Sequence, residues 1–250
     1  MVVVYENTLS LIRQGVSLNK ISKLTGLGKS TLYFHYKKIK GKKYSPIHIN
    51  FVNKRDLGEF LGIFSGDGSF YKNNTYHYLI RVYTGYYEKQ YADYLKKIFL
   101  NWFGKKPNIY ISYFKGKKSS ISTCYSSKEL YLLIRTYLSW EGKKTYSVRL
   151  KKLDLNDREF NLGFIKGLID TDGSFYAPKR RLSFSSVSKN LVSQVFSLIE
   201  FILKEPPNLN VTRKKGYHDL YTLTLHGEKA KKLINLIKPS NINKRYAAIV

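Results

Sequence analysis

Residues 57–71 read Leu-Gly-Glu-Phe-Leu-Gly-Ile-Phe-Ser-Gly-Asp-Gly-Ser-Phe-Tyr, and residues 162–176 read Leu-Gly-Phe-Ile-Lys-Gly-Leu-Ile-Asp-Thr-Asp-Gly-Ser-Phe-Tyr. A constant shift of 105 pairs Gly58 with Gly163, Gly62 with Gly167, Asp67 with Asp172 and Gly68 with Gly173. Each stretch is apolar enough for a buried helix, and each puts a carboxylate in its last turn before a helix-ending glycine. A helix C-terminus carries partial negative charge and favours Lys or Arg, by roughly 0.3–1 kcal/mol. Two acids at matching positions ask for a compensating positive charge, and a divalent cation is the expected one.

The glycines carry the next step. Gly58, Gly62 and Gly66 lie four apart, as do Gly163 and Gly167, so each helix shows a stripe without side chains. Glycine costs a helix ~1 kcal/mol relative to alanine, and close approach of two backbones is the compensating reason. If the stripes pack on each other, Asp67 and Asp172 emerge side by side. Two adjacent carboxylates cannot both ionise cheaply, whereas Mg²⁺, or Mn²⁺ in its place, suits a site of one or two carboxylates, phosphate oxygens and water. Gly66 and Thr171, next to the acids, complete the expected metal-binding set.

The repeat continues beyond these helices. Pro107-Asn108 matches Pro207-Asn208 at a shift of 100, as do Gly116 and Gly216, Lys144 and Lys244, and Tyr146 and Tyr246. The change of shift places a five-residue insertion in the first copy, between residues 72 and 106. Period-two alternation in Leu182-Ser183-Phe184-Ser185, in 209–212 and in 221–226 marks half-buried strands. Ile109 and Ile111 are expected on the matching buried face of 109–114. Residues 87–103 and 189–204 have helical periodicity. The expected class is α+β: two pseudo-symmetric αββαββα halves, 57–156 and 157–250.

The two helices resemble the motif of the LAGLIDADG homing endonucleases. Ile165-Lys166-Gly167-Leu168-Ile169-Asp170-Thr171-Asp172-Gly173 departs at Lys166 and Thr171, and Phe60-Leu61-Gly62-Ile63-Phe64-Ser65-Gly66-Asp67-Gly68 departs further, at Ser65 above all. The resemblance implies that the sheets of both halves form a saddle over DNA. It implies a single-chain, monomeric nuclease, intron-encoded, cutting both strands of a long asymmetric duplex site with Mg²⁺. It also implies a basic residue in each half. Lys144 and Lys244 hold that place, with Lys143 and Arg245 as alternatives, so the expected catalytic set is Asp67, Asp172, Lys144 and Lys244. Asp170, whose counterpart is Ser65, is expected to be structural. Two other readings stay open: an RNA maturase acting on intron RNA, and a non-catalytic helix-turn-helix transcription regulator. An intein is not expected, because no nucleophile follows Met1 and the end Ala247-Ala248-Ile249-Val250 lacks a terminal His-Asn.

Base readout is expected from the wet sheet faces: Arg81, Tyr83, Tyr110, Ser112, Ser120 and Ser122 in the first half, and Ser183, Ser185, Asn210, Thr212, Thr222, Thr224 and His226 in the second. The basic turns Lys115-Gly116-Lys117-Lys118, Lys179-Arg180-Arg181 and Arg213-Lys214-Lys215 suit phosphates.

Upstream, residues 5–40 read as three short helices. Ser17 caps the second, and Gly26-Leu27-Gly28 forms the turn before the third. Small residues at this spacing fit a helix-turn-helix over 1–45, with Lys29, Ser30, Thr31, Tyr33 and His35 facing DNA. An ordinary three-helix subdomain shares the same pattern. Residues 46–56 read as a linker.

Composition agrees with a polyanionic partner. The 250 residues carry a net charge of +27. It is spread as +9 over 1–56, +10 over 57–156 and +8 over 157–250, so it is not a basic tail. A single cysteine, Cys124, excludes a disulfide framework and any cysteine-based zinc finger. The N-terminus lacks the pattern of a signal peptide, and apolar runs are too short to span a membrane. The expected compartment is the prokaryotic cytoplasm, with double-stranded DNA as partner.

Overall fold

The structure, a computed structural model, describes residues 2–41, 46–72 and 78–241. The chain divides into two compact units, Met1–Pro46 and Ile47–Val250.

The first unit contains α1 (Val2–Arg13), α2 (Leu18–Thr25) and α3 (Lys29–Lys40). Ser17 caps α2 by accepting from the Lys20 N–H at 3.3 Å. Gly26 ends it in the left-handed region, at φ +70. The Ser22 hydroxyl then donates to the Leu27 carbonyl at 2.8 Å, which fixes the turn into α3. Ile12, Ile21 and Leu32 form the core, flanked by Leu11, Val16, Leu18, Leu27, Tyr36 and Ile39.

The second unit runs α4 (Lys54–Asp67), β1 (Gly68–Lys72), β2 (Tyr78–Gly85), α5 (Lys89–Phe103), β3 (Asn108–Phe114), β4 (Lys117–Ser126) and α6 (Lys128–Tyr137). A short connection follows, with β5 (Leu138–Ser139), the single turn α7 (Lys144–Ser147) and β6 (Arg149–Leu150). Then come α8 (Arg158–Asp172), β7 (Gly173–Tyr176), β8 (Arg181–Ser186), α9 (Lys189–Leu203), β9 (Asn208–Thr212), β10 (Leu220–His226) and α10 (Gly227–Ile237). Each half holds an antiparallel sheet, ordered β1-β2-β4-β3 and β7-β8-β10-β9. The helices cover one face of each sheet. Along β2, Tyr78, Ile80, Val82 and Thr84 point into the core, while Arg81 and Tyr83 lie on the other face.

Strand register splits the expected five-residue insertion. Gly68 faces Val82 and Gly173 faces Phe184, so the shift between halves drops from 105 to 102 across the first hairpin. It reaches 100 at Lys89 and Lys189, which open α5 and α9. The first half is thus three residues longer in its first hairpin and two longer after β2.

Two expectations change here. Residues 46–56, read as a linker, are largely built into the second unit. Ile47 is buried in its core with Phe51 packed alongside, and His48 and Asn50 donate their N–H groups to the carbonyls of Phe103 and Trp102 at 3.1 and 2.7 Å. Asn53 then caps α4, accepting from the Asp56 N–H. The second change is in β3. Ile109 is half-buried, and Ile111 is 42% exposed. β3 and its counterpart β9 are edge strands, and the helices do not reach across them, so alternation does not report burial there.

α4 and α8 pack along their glycine stripes at the centre of the unit. A Cβ at Gly58 would strike the Phe160 carbonyl, one at Gly62 the Phe164 carbonyl, one at Gly163 the Arg55 carbonyl and one at Gly167 the Glu59 carbonyl. The obstacle each time is backbone in the opposite helix, which cannot rotate away. Gly163→Ala or Gly62→Ala should therefore lower the unfolding free energy by about 1–3 kcal/mol, measured by denaturant titration. A loss below half of that range at both positions would contradict this packing.

The glycines after the acids serve a different purpose from the one expected. Gly68 and Gly173 have φ −80 and −78, extended and not left-handed. A Cβ on Gly68 would strike Phe64, and one on Gly173 would strike Ile169. Glycine is needed so that the chain can leave the helix directly into a strand.

Candidate active site and nucleic-acid interface

Asp67 and Asp172 are the last residues of α4 and α8. Asp67 is half-buried and Asp172 exposed. The helix ends are close: a Cβ on Gly66 of α4 would lie 2.8 Å from Asp172 Oδ2. Thr171 presses on the same glycine, and its hydroxyl donates back to the Gly167 and Leu168 carbonyls at 3.0 and 3.1 Å.

Lys144 sits beside both acids. Its ammonium donates to the carbonyls of Phe64, Ser65 and Gly66 at 2.8, 2.7 and 2.8 Å, capping the negative end of α4. Burial pushes its pKa down to about 8, against the pull of Asp172 and then Asp67. Part of the positive charge that the two acids require is therefore built into the chain. The loop carrying Lys144 is closed on itself. Ser147 Oγ accepts from the Glu141 N–H at 2.9 Å and donates to the Glu141 carbonyl at 2.6 Å. Lys244 and Arg245, the expected counterparts, lie outside the described residues.

The donor set fits a divalent hard cation. Two carboxylates and the main chain at Gly66 and Thr171 supply oxygen only. Among the described residues no third acidic, histidine or cysteine side chain joins them. The remaining positions would fall to water and phosphate, as Mg²⁺ prefers. The Gly66 carbonyl shares its lone pairs with Lys144.

A buried polar network behind this site was not anticipated. Glu59 on α4 pairs with Lys166 on α8, both nearly inaccessible. Tyr94 donates to Glu59 at 2.6 Å and lies 3.0 Å from Lys166 Nζ. Asp170 Oδ2 is 3.5 Å from the same ammonium, and its Oδ1 accepts the N–H groups of Ser240 and Asn241 at 2.8 and 2.9 Å. Burial raises Asp170 to about 6, with Lys166 opposing. Burial acts against the charge of Lys166, yet Glu59 and then Asp170 hold it above its usual value. Asn241 also donates to Glu88 at 2.8 Å. Asp170 therefore anchors the chain where it leaves α10. The sequence carried one clue: Glu59 and Lys166 are the charged residues in the middle of two otherwise apolar helices, and their signs are opposite.

The expected DNA-contact residues fall on one face of each sheet. In the first half, register aligns Ser69 with Arg81, Arg81 with Cys124, Tyr83 with Ser122, and Ser122 with Tyr110. Ser112 and Ser120 pair further along. In the second half, Ser174, Ser183 and Thr224 form one row, and Ser185, Thr222 and Asn210 another. Ser174 bonds Ser183 at 2.8 Å and Ser185 bonds Thr222 at 2.9 Å. His226 and Thr212 lie at the margins of this face, exposed. Thr224 and Ser122 are on the right face but buried, at 8% and 5% exposure, because flanking strands crowd the sheet centre. Neither can reach a ligand without its neighbours moving.

Lys115, Lys117 and Lys118 lie exposed around the turn after β3, where Lys115 and Gly116 have φ +48 and +75. Lys179, Arg180, Arg181 and Lys214 are exposed too, with Arg180 paired to Glu228 at 3.2 Å. Tyr110, Tyr113 and Phe114 are exposed along β3, an aromatic row the sequence reading had only partly named. In the first unit, Lys29, Ser30 and Thr31 are exposed on α3, while Tyr33 and His35 are half-buried. Phe34, overlooked in the sequence, is exposed with Lys38 4.5 Å from its ring centre. Among the described residues no helix is long and apolar enough to cross a membrane.

Residues 159–238 match the LAGLIDADG-like domain. No curated protein matches the chain. Among solved structures, mesophilic variants of the homing endonuclease I-DmoI superpose with a TM-score of 0.53 at 18% identity, covering 74% of this chain and 95% of that one. I-DmoI in complex with DNA and Ca gives 0.52 at 19% identity, covering 74% and 89%. The homing endonuclease I-WcaI bound to its DNA recognition sequence gives 0.53 at 16% identity, covering 91% and 97%. At these identities the likeness is one of fold.

Proposed function

We propose that this LAGLIDADG-family chain is a site-specific DNA endonuclease. It acts as a monomer on a long asymmetric duplex in the prokaryotic cytoplasm, hydrolyses one phosphodiester in each strand with Mg²⁺, and is encoded within an intron. The observation that carries the reading is the meeting of Asp67 and Asp172 at adjoining helix ends with Lys144 beside both. A pair of turn-forming aspartates would need neither the glycine-lined approach of two helices nor a lysine ammonium held at the end of α4 beside them.

When bound, a divalent cation supplies Lewis acidity toward the scissile phosphate and lowers the pKa of an attached water. Asp67 and Asp172 would hold it through their carboxylates. Lys144 offers positive charge to the developing anion. The polar sheet faces read base edges, Arg81 and Tyr83 in one half and Ser183, Ser185, Asn210 and Thr222 in the other. Basic turns hold the phosphates and set the register.

The reading is tested with a duplex selected from a random library and compared with scrambled DNA at equal salt. Log affinity should fall against log salt with a slope on the order of 6–10, since each neutralised phosphate adds roughly 0.9. The selected duplex should be cut in both strands in Mg²⁺. A slope near one, or folded intron RNA outcompeting the duplex, would replace this reading with the maturase.

A further inference from the structure

Lys144 as it stands cannot serve a phosphate. Its three ammonium protons are all donated to the α4 carbonyls of Phe64, Ser65 and Gly66. To meet a substrate oxygen it must give up at least one of them, by rotation of its own side chain or by a shift of the turn that carries it. Two of that turn's ties are internal to the scaffold. Ser147 closes it onto Glu141, and the Ser188 hydroxyl holds the Val148 carbonyl at 2.8 Å.

The third tie is of another kind. Tyr146, two residues from Lys144, stacks on His218 with ring centres 4.0 Å apart and planes tilted by 34°. His218 belongs to the connection between β9 and β10, in the opposite half. That connection also carries Arg213, Lys214 and Lys215, all exposed, and Arg213 is linked back to Asp219 at 3.5 Å. Both rings of the stack are themselves exposed. Burial of a core side chain therefore does not explain the contact. It joins a segment with three exposed basic residues to the turn holding the lysine.

We propose that His218 and Tyr146 are positioning residues: engagement of the duplex backbone by residues 213–215 moves His218, and the stacked Tyr146 carries that movement to the Lys144 turn. The lysine is then drawn off the helix carbonyls and toward the scissile phosphate only when the second half is seated on DNA. This rests on the endonuclease reading above.

The full chain is compared with His218→Ala, Tyr146→Ala and His218→Phe on one selected duplex. Binding is measured in Ca²⁺ and single-turnover cutting in Mg²⁺. Both alanine variants should keep their affinity within about threefold yet cut about tenfold or more slowly, because a misplacement of ~1 Å can cost on the order of 10²-fold. His218→Phe, which keeps a stacking ring, should restore the rate. Unchanged cutting by His218→Ala, failure of His218→Phe to restore it, or a loss of affinity as large as the loss of rate would overturn the coupling. If the unaltered chain binds but does not cut, the endonuclease reading falls. The coupling is then judged by the Lys144 Nζ resonance, assigned with Lys144→Arg. That resonance should shift on duplex binding in Ca²⁺ in the unaltered chain and stay in place in His218→Ala, and equal shifts in both would end the proposal.

Discussion

Asp67→Asn and Asp172→Asn should each abolish double-strand cleavage while site-specific binding in Ca²⁺ stays largely intact. The acids are the last residues of their helices, beyond the glycine-lined contact and the Glu59–Lys166 pair that hold α4 to α8, so an isosteric amide leaves that packing in place. The substitution removes one negative charge from a site that already contains Lys144. With a single carboxylate left, the ammonium and one acid balance each other, and the attraction for a divalent cation collapses. The expected loss in cutting rate is about 10²-fold or more, the scale seen when one preorganised electrostatic group is removed from a reacting centre. Affinity should hardly change, because base and phosphate contacts lie on the sheet faces and basic turns. The decisive measurement is plasmid linearisation by each variant beside binding to the same duplex. Normal linearisation by either one would remove that aspartate from the active site.

What the sequence disclosed about this fold was whatever recurs. Gly58, Gly62, Gly163 and Gly167 betray close helix packing because glycine is costly in a helix and appears four times at matched positions. The order of strands and helices follows from alternation in β8 and β10, where one face is covered. It misleads at Ile111, because an edge strand has no helix over it and apolar residues there are free to face water. Asp67 and Asp172 stood out by the same recurrence. Lys144 was visible only through its counterpart Lys244, and its three carbonyl partners are 78–80 residues away. The Glu59–Lys166 pair was hidden for the opposite reason. It breaks the repeat: at the shift of 105, Glu59 corresponds to Phe164 and Lys166 to Leu61. The pseudo-symmetric position is thus apolar on one side of the helix pair and ionic on the other. A reading built on matching positions passes over a feature that exists on one side alone.

That asymmetry sets the second large effect. Lys166→Met should cost about 3–5 kcal/mol of stability, and Glu59→Leu a comparable amount, because each leaves a buried group of opposite charge without its partner. Glu59 and Lys166 have side-chain exposures of 7% and 7%, so water cannot take over the lost interaction. The loss with Lys166→Met should be the larger of the two. Lys166 also faces Asp170 at 3.5 Å and Tyr94 at 3.0 Å, and both lose their cation. The double change Glu59→Leu with Lys166→Leu makes the ionic side resemble its Leu61–Phe164 counterpart. Buried pairs replaced by apolar residues of similar volume are often neutral or stabilising, so the double variant should recover most of the stability lost by Glu59→Leu. The shortfall that remains measures Asp170, which keeps the N–H groups of Ser240 and Asn241 but loses its ammonium. Adding Asp170→Ser, the residue at the matching position 65, should not restore that shortfall, because it also removes the anchor of the chain after α10. Denaturant unfolding of the four variants decides the matter. If the single changes each cost less than about 1 kcal/mol, the ordinary scale of an exposed pair, the network does not hold the two halves together.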